Sequence, residues 1–289
     1  MSSDGLYNGT LEGLVQGLYG GTTNGAANGS NSNTITPPLP SFDPDALAFI
    51  YAAEISVTLQ KNAINRFVLD LKGYNLWTKF YALYPFVGGS AFSHKFNLKN
   101  PLNTNAAFRL TFNGGYVHDS NGITGNGTNS AALTNLVPST TLSLNDASFS
   151  VYSRTSGNNG FDFSSNTATP VNRLIIQYTN GNTYFDVNNA INATAYTASL
   201  NARAFYQSSR KASNDLKLFR NGIAVRSVTT VSASLGAVGC IIGSINTGGT
   251  NGSARNYALA SISLGMTPAE ATNFYTAVQT YQTTLGRNV

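Results

Sequence analysis

Few side chains in this chain could support acid–base or nucleophilic chemistry. Hydrolysing a glycosidic bond takes two carboxylates facing each other across the bond, which on a strand appear as acids at alternating positions. The glutamates are Glu12, Glu54 and Glu270. Glu12 falls in a glycine-rich stretch, Glu54 near a helix end, and Glu270 in an expected helix cap. The aspartates are scattered singly, except for Asp43 and Asp45, which flank Pro44 at a helix start and suit capping. The acid spacing therefore predicts no paired-carboxylate cleft and no enzyme. His94 and His118 are the two histidines, set in Ser93-His94-Lys95 and Val117-His118-Asp119 with neither triad nor metal-ligand spacing. Each is expected at the surface or half-buried. No Gly-x-Ser-x-Gly singles out a nucleophile among the many Ser and Thr residues.

Cofactor and metal signals are equally sparse. Gly114-Gly115 and Gly248-Gly249 sit in loops rather than between a strand and a helix, so they make poor phosphate cradles. Asp119 and Asp162 are the loop acids a calcium ion would choose, but each stands alone among Asn and Ser, and no tight site is expected. Cys240, the single cysteine, lies in the apolar run 237–242 and reads as a buried structural thiol. No cofactor is expected. Sugar recognition needs aromatic rings that stack on pyranose faces. Tyr116, Tyr152, Tyr184 and Tyr206 lie on or near expected strands, where tyrosine also serves ordinary packing.

The composition narrows the partners. Of 289 residues 42% are hydrophobic, enough for a core, while charged residues are only 10%, against the usual quarter. The polar surface must come from Asn, Ser, Thr and Gly, which favour turn-rich β structure and are cheap to desolvate against neighbouring subunits. The +5 net charge reflects scarce acids, 12 against 17 bases, and no basic run exceeds Arg210-Lys211. Nucleic-acid binding is not expected. No apolar stretch is long enough to span a membrane, and the start of the sequence lacks a secretory pattern.

Three regions follow. Residues 1–40 form a Gly/Asn-rich arm and linker ending in Pro37-Pro38-Leu39-Pro40. Leu6, Tyr7, Leu11, Leu14, Leu18 and Tyr19 dot the arm without a helical period, so it cannot bury enough to fold alone and is expected to order on a partner. Residues 41–84 read as helical. Asp43-Pro44-Asp45 starts one helix, and a second from Ser56 or Thr58 carries Ile64, Phe67, Val68 and Leu71 on one face and closes at Gly73. Trp77, Phe80, Tyr81 and Tyr84 are placed on a short third turn. Residues 85–289 read as short strands separated by Gly, Asn, Ser and Pro, with expected strands at 107–112, 149–153, 173–178, 198–206, 216–220, 223–228, 240–244 and 257–264. Asn221-Gly222 between two of them is a type I′ hairpin signal. A C-terminal helix over 268–285 is capped by Thr267-Pro268-Ala269-Glu270, with Phe274, Val278, Tyr281 and Leu285 as its apolar stripe and Gly286 as its end.

Several stretches resemble a known family. They are Leu71-Lys72-Gly73-Tyr74-Asn75-Leu76-Trp77, Tyr84-Pro85-Phe86-Val87-Gly88-Gly89 and Ser93-His94-Lys95-Phe96-Asn97-Leu98-Lys99. To these are added the hairpin at 216–225 and the ending Ala260-Ser261-Ile262-Ser263-Leu264-Gly265-Met266-Thr267-Pro268-Ala269-Glu270 with Gln282-Thr283-Thr284-Leu285-Gly286-Arg287. Together they look like concanavalin A-like lectin/glucanase (laminin-G-like) domains of phage virion proteins, over residues 43–289. The resemblance implies a mainly β, antiparallel jelly-roll β-sandwich with flanking helices and an extended N-terminal arm. It implies a structural component of a bacteriophage virion, as a head fibre, decoration or tail-associated protein. On this view the chain docks on other virion proteins through residues 1–40 and forms a homo-oligomer. A glycan-binding module on the same particle, used for host or mucus adhesion, is the alternative. Enzymatic relatives carry Glu-x-Asp-x-x-Glu on a strand, which this chain lacks. Deleting residues 1–40 should leave a folded domain, with unchanged circular dichroism, that no longer incorporates into particles; normal incorporation would refute the arm's role.

Overall fold

The computed structural model describes residues 42–157, 160–166, 171–190, 195–196 and 201–289. These belong to one compact unit, Phe42–Val289. The arm residues Leu6, Tyr7, Leu11, Leu14, Leu18 and Tyr19, with Glu12, lie outside the described residues.

The chain is an antiparallel β-sandwich with helices on one face. Among the described residues the first sheet has eight strands: β1 (Phe80–Tyr84), β3 (Val117–Asp119), β4 (Gly122–Thr124), β6 (Ala147–Ser153), β11 (Ala204–Ala212), β12 (Asp215–Arg220), β13 (Ile223–Val228) and β15 (Asn256–Ser263). Their order is β13-β12-β11-β6-β15-β4-β3, with β1 also paired to β15. The second sheet has seven: β2 (Thr111–Asn113), β5 (Ala131–Leu133), β7 (Phe163–Asn166), β8 (Val171–Ile175), β9 (Thr183–Asn189), β10 (Ala195–Tyr196) and β14 (Ile241–Ile242). Its order is β10-β9-β8-β7-β14-β5-β2.

Strand alternation builds two cores from the first sheet. Phe149, Val151, Ala204, Tyr206, Leu216 and Leu218 face the second sheet and meet Phe163, Leu174, Phe185 and Val187. The Phe149 and Phe163 rings stack at 4.5 Å across the gap. Their neighbours Tyr152, Phe205 and Phe219 point the other way, under the helices. That outer layer is α1 (Pro44–Ala52), α2 (Thr58–Gly73) and α5 (Pro268–Thr284). Phe274 of α5 packs on Phe80 and Phe205 at 4.9 and 5.1 Å, and Tyr281 stacks on Phe67 of α2 at 4.8 Å. With both faces covered, every residue of β6 is buried.

Local signals set the ends of these elements. Asp43 accepts a hydrogen bond from the Asp45 backbone N–H at 3.0 Å, with Pro44 in the first turn of α1. Thr267 and Glu270 form a reciprocal capping box on α5, of a kind that contributes about 1 kcal/mol. Asn221 and Gly222 both have positive φ, 50° and 75°, as a type I′ hairpin requires.

Several boundaries differ from expectation. Of the expected third turn only Trp77–Lys79 is helical, as a 3-10 turn; Phe80–Tyr84 is a strand on β15, because Phe80 and Leu83 pack under the helices while Ala82 and Tyr84 face the inner core. The expected strand at 107–112 begins only at Thr111, since Phe108 adopts a left-handed φ of 59° after a 3-10 turn. The strand expected at 240–244 pairs only through Ile241 and Ile242, and Gly243 beyond them has a φ of 81°. The strand expected at 173–178 is Val171–Ile175, and that expected at 198–206 is Ala204–Ala212 within the described residues.

A buried ionic knot joins the two sheets at one end. Asp162, just before β7, is fully buried. One carboxylate oxygen accepts from the Tyr257 hydroxyl at 2.6 Å and lies 3.0 Å from Arg255 Nε; the other accepts from the Ile176 backbone N–H at 2.7 Å. Arg255 also donates to the carbonyls of Thr155, Gly157 and Gln177. Removing one partner strands a charge in a medium that cannot solvate it. Asp162→Ala should therefore destabilise the fold by about 3–5 kcal/mol in urea titration. Asp162→Ala combined with Arg255→Met should recover part of that loss, because the uncompensated cation is gone.

Candidate functional site

The tertiary structure settles most of the candidate residues. Glu54 is exposed at the end of α1 with a positive φ of 54°. Glu270 is held by the Thr267 backbone N–H at 2.8 Å and by Lys79 at 2.8 Å. Asp43 and Asp45 share Lys72. Asp119 is exposed and accepts from the Asn121 backbone N–H in the β3–β4 turn. Asp162 is saturated by the donors of the knot. Cys240 is buried beneath the inner core, and burial pushes its thiol well up from the ordinary range. Among the described residues no group of three His, Cys, Asp or Glu converges as a metal site would require.

The four strand tyrosines separate clearly. Tyr152 and Tyr206 are fully buried, and their hydroxyls reach Gln279 Oε1 and the Asn201 carbonyl. Tyr116 commits its hydroxyl to the Ile242 carbonyl at 2.8 Å. Tyr184, on β9, faces away from the inner core and stays half-buried. It pairs across the ladder with Ile175 on β8 and Ala195 on β10, so these three share the outer face of the second sheet.

Around Tyr184 lies a polar frame that the sequence did not single out. The Arg173 guanidinium lies 4.3 Å from the ring centroid. Arg173 pairs in register with Asp186 and forms an ion pair with it through Nε, while its Nη2 is buried without a hydrogen-bond partner. Asn189 donates to the same aspartate. On the other side, Asn180 donates its amide N–H to the Tyr184 hydroxyl at 2.8 Å, which holds the phenol below its ordinary range. Asn180 also accepts from the Asn182 backbone N–H, fixing the turn between β8 and β9. The Tyr178 ring stands edge-on to Tyr184 at 6.0 Å. The accessible part of this region is the half-buried Tyr184 ring with the exposed turn residues Thr179 and Asn180; Arg173, Ile175, Asp186 and Asn189 around it are buried. Among the described residues Asp186 is the only acid in the seven strands of this sheet.

The histidines, each expected at the surface or half-buried, meet, and His94 departs from that expectation by being buried against Phe86. Their Nδ1 atoms are 3.1 Å apart, across 24 residues of sequence. His94 is buried and His118 half-buried.

No family model matches the chain, and no curated protein is similar to it in sequence. Among solved structures it is similar to domain 4 of AbnA, a GH43 extracellular arabinanase from Geobacillus stearothermophilus, in complex with arabinotriose. That match has 16% identity and a TM-score of 0.46, covering 68% of this chain and 98% of the other. It is also similar to the Trypanosoma rangeli sialidase, at 11% identity and a TM-score of 0.46, covering 74% of this chain and 38% of the sialidase. A third is the botulinum neurotoxin serotype D binding domain, at 10% identity and a TM-score of 0.44, covering 69% and 52%. Likeness at these scores carries no argument about ligand or activity.

Proposed function

We propose that this chain is a non-enzymatic recognition module that binds glycan on the outer face of its second sheet, with Tyr184 as the stacking ring. The observation that carries this is the sorting of the strand tyrosines: three direct their hydroxyls into the fold, while Tyr184 stays half-exposed between Arg173 and Asn180. An aromatic ring gains most by covering the apolar face of a partner whose polar groups find hydrogen bonds at the rim. Amide and hydroxyl side chains suit that rim, because exchanging water for sugar hydroxyls costs them less than it costs charged groups. A hydrolytic role lacks its basic requirement on this face, since Asp186 has no second carboxylate and is engaged by Arg173 and Asn189.

The wider setting we propose is a bacteriophage particle, with residues 1–40 attaching the module to other virion proteins. Its support is the family resemblance of 43–289 and the Leu/Tyr pattern of the arm, which carries too little apolar surface to fold alone. A homo-oligomer fits that setting, as closed symmetric assemblies are the norm for repeated parts.

A glycan array probed with the full chain should give saturable binding to a subset of bacterial-surface or mucin sugars. Tyr184→Ala should weaken it by about tenfold or more while the circular dichroism spectrum shows the fold retained. A flat array, or undiminished binding by the variant, would remove Tyr184 from the function. Release of reducing ends from the bound sugars would show that the module is an enzyme after all.

A further inference from the structure

The two histidines meet where the edge strand β3 passes the short helix α3 (Ala91–His94), far in sequence from the glycan face and on the other sheet. Hydrogen-bond geometry fixes their protons. The Gly89 backbone N–H donates into His94 Nε2 at 3.2 Å. That nitrogen must be the unprotonated one, so His94 carries its hydrogen on Nδ1. His94 Nδ1–H then points at His118 Nδ1, 3.1 Å away, and His118 must accept there and carry its own hydrogen on Nε2. One backbone amide thus sets the tautomer of both rings. A metal ion shared by the facing Nδ1 atoms is ruled out by the same amide, because a ligated His94 would turn Nε2–H against Gly89 N–H.

A proton meets the same obstacle. An imidazolium donates from both nitrogens. On His118 it would set N–H against the His94 N–H; on His94 it would set N–H against Gly89. Among the described residues no carboxylate compensates His94: the charged groups bearing on it are His118 and, from the C-terminal segment, the Arg287 guanidinium. His118 has Asp119 beside it, which favours its charged form. The remaining walls are the edges of Phe86 against His94 and of Phe112 and Tyr116 near His118.

We propose that the His94–His118 contact is an acid-released clasp, which pins β3 to the α3 turn at neutral pH and lets it go when His118 takes up a proton. Burial holds His94 down to about 3 and lowers His118 from the ordinary 6.5. A base whose folded value lies below its unfolded one contributes no penalty above 6.5 and destabilises the closed form progressively as pH falls below it. His118 is the more exposed ring and has the acid neighbour, so it is the first to charge. Once it does, β3 keeps three ladder pairs with β4 and a long Arg287 hydrogen bond to the Ser120 carbonyl at 3.4 Å, whereas β4 stays anchored on β15. Release is therefore local to β3 and the 86–94 segment.

Hydrogen–deuterium exchange on the full chain, corrected for intrinsic rates, tests this at about pH 7.5 and about pH 4.5. Protection of 117–120 and 89–94 should fall by about tenfold or more at the lower pH, while β6 and β15 stay protected. His118→Asn, whose Oδ1 takes the place of Nδ1 as a non-titrating acceptor, should keep that protection at both values. Nitrogen-15 NMR of the wild type should show His94 as the Nδ1–H and His118 as the Nε2–H tautomer at neutral pH. Unchanged protection in the wild type at low pH, equal loss in His118→Asn, or the opposite tautomers would each overturn the clasp; should the variant not fold, the wild-type exchange and tautomers decide alone.

Discussion

Buried cations organise this sandwich, and the scarcity of acids dictates how they are held. Arg210, Arg255 and Arg287 are almost wholly buried. Only Arg255 has a carboxylate, in the Asp162 knot; the other two are satisfied by oxygens of the main chain and of amides. Arg287 donates to the carbonyls of Pro85, Phe86 and Ala258 and to Gln282 Oε1, which ties the C-terminus to the end of β1 and to β15. Arg210 reaches the carbonyls of Val187, Ala212 and Thr230 and Asn189 Oδ1, fastening the second sheet to the first. A planar guanidinium with five donors can replace several turn-closing contacts at once, provided every donor finds an oxygen. Burial lowers the pKa of both arginines, yet a guanidinium starts so high that the charge persists.

The same constraint commits several of the carboxylates to structural partners. Asp162 and Asp186 are committed to Arg255 and Arg173, Asp146 to Lys211 and the Gly265 backbone N–H, and Glu270 to its helix cap and Lys79. Carboxylates locked to structural cations are poor general acids and bases, since their oxygens are already occupied by partners the fold does not release. At the outer end of the second sheet the exposed and half-buried side chains are aromatic, amide and hydroxyl, among them Tyr178, Thr179, Asn180 and Tyr184. The helical layer seals the outer face of the first sheet, while on the outer face of the second sheet β8 is buried throughout and β9 leaves only Tyr184 half-buried.

How much of the site was legible in sequence depended on range. Tyr184 stood among four strand tyrosines, and nothing local distinguished it from Tyr206, whose strand is just as hydrophobic in pattern. The difference is the face each side chain takes, and register decides that: Tyr206 lies opposite Val151 on β6, facing the core, and Tyr184 opposite Ile175 on β8, facing out. Arg173 and Asp186 are 13 residues apart and become neighbours only through the β8–β9 ladder. The two histidines likewise carried no spacing signal, because their contact joins an edge strand to a helix turn from a separate part of the chain.

By itself the sequence determined the elements whose causes are short-range. The Asp43-Pro44 start, the capping box at Thr267, the apolar stripe from Phe67 to Leu71, the Asn221-Gly222 hairpin and the alternation of short strands all act within one turn or one ladder step. Together they also fixed the class of fold. Tertiary structure alone decided that Phe80–Tyr84 became a strand rather than the rest of a helical turn. It also chose which tyrosine faces water and which charges neutralise one another. Those outcomes turn on desolvation and register between residues tens to hundreds of positions apart, and both quantities exist only once the sheets have closed on each other.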